Sequence, residues 1–113
     1  MLTITTYTGN VGEEHFFRWR NAVRELVAAA DVATVDCSFV DADGTHFASD
    51  GEMISAGSVP TGYSFGWKFG AADLATARTL IGQFTLTKSG GGAVSVKEFR
   101  LIVKEALADD IPS

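Results

Sequence analysis

Five groups of residues have the types and spacing that chemistry can use. Gly62-Tyr63-Ser64-Phe65-Gly66 fits the Gly-x-Ser-x-Gly pattern of a nucleophile elbow. An elbow needs a strand-to-helix turn and, downstream, an acid and then a histidine. Here Ser64 lies within an alternating apolar segment, and both histidines, His15 and His46, precede it. The pattern therefore reads as a coincidence, with no catalytic residue assigned.

Asp41, Asp43, Asp50 and Glu52 suggest calcium, because Asp41 and Glu52 stand at positions one and twelve of an EF-hand-like window. That loop needs glycine at position six for its sharp turn. His46 holds that position, so a solvated hairpin turn is the better reading. Cys37, His15 and His46 are too few and too irregular for structural zinc, which takes four ligands in short paired spacings. No lysine followed by Ser or Thr comes after Gly90-Gly91-Gly92, so that run is no phosphate loop. No metal ligand and no cofactor-binding residue is expected. The fifth group, Tyr63, Phe65, Trp67 and Phe69, could stack on a sugar ring. A one-domain sandwich needs such residues between its sheets, so core is favoured.

The elements that must carry these residues are mostly strands. Turn signals recur at Gly9-Asn10, Asp43-Gly44, Asp50-Gly51, Pro60-Thr61-Gly62, Gly70 and Gly90, a spacing typical of sandwiches and barrels. Residues 63–69 put four aromatics on one face at strict period two. In residues 34–40, Val35, Cys37 and Phe39 oppose Thr34, Asp36 and Ser38, and the strand runs into Asp41-Ala42-Asp43-Gly44, where Gly44 can supply a positive φ. Residues 83–88 repeat the alternation with Phe84 and Leu86, and residues 2–7 read as an edge strand. Two segments stay open. Residues 13–30 place Phe16, Trp19, Val23, Leu26, Val27 and Ala30 on one helical stripe, yet Phe17 and Trp19 also alternate. Ser95 and Glu98 form a capping-box pair, yet Phe99, Leu101 and Val103 alternate cleanly. The fold expected is all-β, a single sandwich over residues 1–113; the alternative is α+β with helices at 13–30 and 96–108.

Composition bounds the rest. The chain has 113 residues, 46% apolar and 20% charged, with eight Phe, two Trp and two Tyr for a core. Disorder is expected only at the extreme termini and around Ser89-Gly90-Gly91-Gly92. Nine basic against fourteen acidic side chains give a net charge of −5. That balance disfavours nucleic acid and anionic membranes as partners. Arg18, Arg20 and Arg24 cluster, but Glu13, Glu14 and Glu25 offset them. There is no long apolar run and no signal-peptide pattern. A single cysteine cannot make an internal disulfide, which suits folding in a reducing cytoplasm.

One stretch carries a family likeness. Trp67, then Asp73-Leu74-Ala75-Thr76-Ala77, Phe84-Thr85-Leu86-Thr87, Gly90 to Gly92 and Phe99-Arg100-Leu101-Ile102-Val103 follow one another as in an immunoglobulin-like β-sandwich of tailed bacteriophages. The chain resembles the type found at the N-terminus of baseplate upper proteins. Val35-Asp36-Cys37-Ser38-Phe39-Val40-Asp41-Ala42-Asp43-Gly44 resembles the same family's earlier strand and turn. Where the family often has a glycine and an aromatic before the later strand, this chain has Arg78 and Leu80. The resemblance covers about residues 14–108 and implies strands at both open segments. It also implies a non-enzymatic structural role in a virion made in the host cytoplasm, with no cofactor. Expected partners are other virion proteins of capsid, tail or baseplate, or a second copy. The short chain favours a capsid decoration over a baseplate adaptor, since baseplate proteins of this type continue into a further domain. A carbohydrate-binding module with exposed aromatics is the alternative.

The expected core is Trp19, Phe39, Phe65, Trp67, Phe84 and Phe99. Residues 1–9 are expected as a docking arm or edge strand, with Leu2, Ile4 and Tyr7 as docking residues, because Leu2-Thr3-Ile4-Thr5-Thr6-Tyr7 has no charge to protect a free edge.

Overall fold

The computed structural model describes residues 2–21, 23–90 and 94–106. Eight strands follow in order: β1 Leu2–Tyr7, β2 Glu14–Phe17, β3 Val32–Val40, β4 His46–Ala48, β5 Glu52–Met53, β6 Phe65–Lys68, β7 Arg78–Lys88 and β8 Val94–Lys104. They form a five-stranded sheet in the order β1-β8-β7-β3-β4 and a three-stranded sheet in the order β2-β6-β5. The only helical turns described are two three-residue 3-10 segments, Ala29–Asp31 and Ala56–Ser58. The fold is an all-β sandwich.

The α+β alternative is overturned at both open segments. In residues 13–30, Phe17 and Trp19 are both buried while Val23 is 71% exposed, which breaks the helical stripe. Side chains two apart share a face only in extended chain. After β2 the chain turns back on itself. Asn21 Oδ1 accepts the backbone N–H groups of Val23 and Glu25, Arg24 takes a positive φ of 66°, and Val27 N–H bonds Trp19 O. This is an Asx-type turn, a local hydrogen-bonding alternative to helix that asparagine favours. At the other segment Ser95 and Glu98 lie within β8, so no capping box forms, and Phe99, Leu101 and Val103 point inward at period two. Residues 107 and 108 lie outside the described residues, as do Gly91 and Gly92.

The central pair is β7 with β8, antiparallel over ten cross-strand partners. Leu80, Phe84 and Leu86 of β7 face the core, and Gly82 occupies the inward position between them. Phe99, its partner across the ladder, lays its ring over that glycine: a Cβ at Gly82 would stand 2.1 to 2.7 Å from three atoms of the ring. The ring stacks on Phe84 at 4.5 Å and 17°. From the facing sheet, Phe65 and Trp67 meet Phe84 edge-on at 5.2 and 6.0 Å, and Phe17 meets it tilted at 4.9 Å. All six residues expected in the core are there, each no more than 8% exposed. Offset and edge-to-face aromatic pairs add to the burial of area that holds two sheets together.

β3 pairs antiparallel with β7 and buries Val35, Cys37 and Phe39. Its hairpin to β4 is closed by Asp41, whose Oδ1 accepts the N–H groups of Asp43 and Thr45, with Gly44 at φ 82°. β1 runs parallel to β8 over six partners and is an edge of the larger sheet.

Candidate functional site

Ser64, Asp50 and Cys37, among the side chains that suggested chemistry, are committed to structure. Ser64 is buried; its Oγ accepts the N–H of Trp19 at 2.8 Å and donates to Trp19 O at 3.2 Å. It pins the segment after β2 against the start of β6, and no histidine contacts it through a hydrogen bond. Asp41 Oδ1 is engaged by its own turn. Cys37 is buried, and desolvation, with the charge of Asp73 behind it, pushes its thiol far above the ordinary range. His15 approaches Glu13 at 3.5 Å and packs on Phe69, and desolvation lowers its pKa. His46 lies on the other edge, in β4. Among the described residues no three His, Cys, Asp or Glu side chains come together in a way that could hold a metal.

Asp50 and Asp73 form a polar lock that the sequence did not reveal. Asp50 Oδ2 accepts Ala72 N–H at 2.9 Å and its Oδ1 accepts Asp73 N–H at 3.2 Å. Asp73, 1% exposed, accepts Gly70 N–H at 3.1 Å, Asp50 N–H at 3.4 Å and the Ser49 hydroxyl. Burial raises the Asp73 pKa, and the Asp50 charge adds to that; the bonds from Ser49 and Gly70 oppose it. These two carboxylates clamp the loop after β6 onto the β4–β5 connection. Asp50 and Asp73 stand 23 residues apart in sequence, so no local pattern announces the lock.

The aromatic stripe divides. Phe65, Trp67 and Phe69 are core, whereas Tyr63 is half-buried under the Arg18 guanidinium, 4.6 Å from its ring centre. Tyr63 and Phe16, 5.9 Å apart, line a shallow cleft of about 220 Å³ with Leu2, Arg18 and Lys97.

The longest strand edge open along its whole length is the outer edge of β1. A strand aims alternate backbone N–H and C=O groups to each side, so one set faces β8 and the other faces away. Among the described residues no backbone hydrogen bond outside the β8 ladder involves residues 2–6. The other edge strands have four residues in β2, three in β4 and two in β5, and β3 over residues 32–36 and β8 over residues 94–98 also run without a partner on their outer side among the described residues. The structure also splits the three expected docking residues. Leu2 and Tyr7 are 40% and 48% exposed, but Ile4 is 8% exposed and belongs to the core, along with Thr6. Ile4 is therefore corrected from docking residue to core residue: its parity points it between the sheets. The outward positions of β1 are Thr3, Thr5 and Tyr7, beside Arg100, Ile102 and Lys104 of β8. Compared with protein-family models, curated proteins and solved structures, the chain matches none.

Proposed function

We propose that this chain is a non-enzymatic structural subunit of a bacteriophage particle, a surface-exposed capsid decoration or a tail or baseplate adaptor that works by protein–protein contact. The observation that carries the assembly reading is β1: a six-residue edge strand with no charged side chain. Edge strands left long and uncharged pair with other chains, which is why soluble monomers blunt them. The phage setting rests on the ordered likeness of Trp67, Asp73 to Ala77, Phe84 to Thr87 and Phe99 to Val103 to the sandwich domains of tailed phages. Fold likeness is an associational warrant for function. Mass spectrometry of purified particles tests it. Copies comparable with the shell protein indicate decoration, a handful per particle indicates tail or baseplate, and absence from the particle refutes the proposal.

Glycan binding is the second reading, and one observation favours it. Phe16, Tyr63 and Arg18 offer half-exposed aromatic faces and a cation in one cleft. Binding to a glycan array that is lost in Tyr63→Ala without loss of fold would support this reading over the first.

A further inference from the structure

We infer that the unpaired end of β8, residues 94–98, takes an extended acidic segment of another protein as an added strand, with its carboxylates directed at Lys97, Arg18 and Arg20 in the clefts beneath. This rests on the reading of the chain as an assembly subunit and names the chemistry of a partner.

The backbone supplies the first half of the site. β1 covers β8 only from Phe99 to Lys104, and over residues 94–98 β7 is the sole partner among the described residues. Alternate N–H and C=O groups of that stretch face outward with no strand to receive them, which is the condition for strand addition. Val94 and Val96 point to the outer face and are 63% and 56% exposed. Apolar residues opposite them on an added strand would pack beside them, as cross-strand pairs do. Residues opposite Ser95 and Lys97 would point the other way, between the sheets.

Charge selects what points inward. Two clefts share Arg18 and Lys97 as lining. One, of about 270 Å³, lies between Leu86 and Ser95 on the larger sheet and Trp19 and Arg20 after β2; the other is the Phe16–Tyr63 cleft of about 220 Å³. No Asp or Glu lines either cleft, although acids outnumber bases in the chain by fourteen to nine. Among the described residues Arg18, Arg20 and Lys97 form no ion pair. Arg18 Nε donates to Gly62 O at 3.1 Å, and one guanidinium N–H of Arg20 donates to Arg24 O at 3.3 Å. A guanidinium has five N–H donors, so each retains several for a carboxylate. Stacked sheets lie about 10 Å apart, within the joint reach of a glutamate from one side and an arginine from the other.

The other partly open strand is the wrong place for such an occupant: β3 over residues 32–36 has Asp31 just before it and Asp36 on it. An acidic sugar would answer the cations but leave the backbone edge and the two valines unmet. The arrangement therefore favours a peptide that alternates acidic and apolar residues, acids inward and apolar side chains outward.

Fluorescence anisotropy with a labelled peptide of alternating glutamate and valine, read beside amide NMR spectra of the full chain, tests this. The expected result is saturable binding that weakens with added salt, with amide shifts centred on residues 94–98 and 18–20. The same peptide with N-methylated backbone amides should fail to bind the parent protein. Arg20→Glu/Lys97→Glu, with its fold intact, should bind the glutamate peptide about tenfold more weakly or worse, and should instead take a lysine–valine peptide that the parent ignores. No saturation by about 1 mM peptide, equal binding of the N-methylated form, shifts confined to other edges, or a folded double variant that binds like the parent overturns the inference. Trigalacturonic acid is the sugar probe, and saturable binding of it without binding of the peptide overturns the inference in favour of an acidic-glycan site. A chain found in particles that ignores the peptide loses this site and keeps the virion reading. Peptide binding by a chain absent from particles does the reverse.

Discussion

The ring of Phe99 covers Gly82, its direct partner across the β7–β8 ladder, and fills the space that a side chain at Gly82 would need. An aromatic laid over a cross-strand glycine recovers the packing that glycine forgoes and shields its backbone. Here it also sets the stacking of Phe99 on Phe84, which holds the centre of the core.

Gly82→Ala should therefore be costly despite its small added volume. The new methyl would drive Phe99 out of its stack, with an expected loss of about 1–3 kcal/mol. Gly57→Ala, where nothing lies within 4 Å of the added carbon, is the control and should be near neutral. Urea denaturation of both, with Phe99→Leu alone and combined with Gly82→Ala, gives a double-mutant cycle. Strong coupling is expected, and additive losses would contradict the packing account.

Trp67→Ala should cost about 3–5 kcal/mol and leave little stability in a domain of this size. Trp67→Phe should cost much less, because among the described residues the indole N–H has no hydrogen-bond partner and its removal relieves a buried donor. Thermal melts of the two variants check the order.

The Asp73 carboxyl carries a pH dependence of unusual sign. Its folded pKa is raised by burial, so the native state holds that proton more tightly than the unfolded chain. Stability from this group falls as pH rises from the ordinary aspartate range through the raised value. His15 tilts the opposite way. Its folded pKa is lowered by desolvation, so its contribution is lost as pH falls below the ordinary histidine range. The difference between parent and Asp73→Asn isolates the first effect and should grow less favourable to the parent across that acidic window. Asp73→Ala, which leaves three donors without an acceptor, should lose at least about 2 kcal/mol at neutral pH. A parent-minus-variant curve that is flat with pH would refute the assignment.

Much of the sandwich was legible because period two is a strong signal wherever one face is buried. Val35, Cys37 and Phe39, Phe84 and Leu86, and Phe65, Trp67 and Phe69 all point as their alternation requires. Residues 13–30 were not legible, because a broken strand followed by a tight turn at Asn21 samples helical spacing by accident. Strand Phe65–Lys68 also buries its second face: Gly66 sits under Phe16 and Ile54, and Ser64 bonds Trp19, which alternation alone cannot foresee. The Asp50–Asp73 lock and the Phe16–Tyr63 cleft join residues far apart in sequence, so they exist only in three dimensions. The edge at β1 was visible as an uncharged run, but which of its residues stay free depended on the parallel register with β8.

That register divides β1 into two sets with separable effects. Ile4 and Thr6 face the core, and Thr6 Oγ1 also accepts the Asn10 side-chain amide at 3.1 Å. Ile4→Ala should cost about 2–4 kcal/mol, the range for an aliphatic truncation within a packed core. Thr5→Ala should stay within about 0.5 kcal/mol, as expected for an exposed position away from caps and special backbone. Deleting residues 2–8 should then destabilise the domain by more than Ile4→Ala alone, because it also uncovers the edge of β8, where Leu101 and Val103 lie under β1 partners. Chemical denaturation of the three variants measures this. If Thr5→Ala proved as damaging as Ile4→Ala, the parity would be wrong, and the outward positions would no longer be free to carry a contact between molecules.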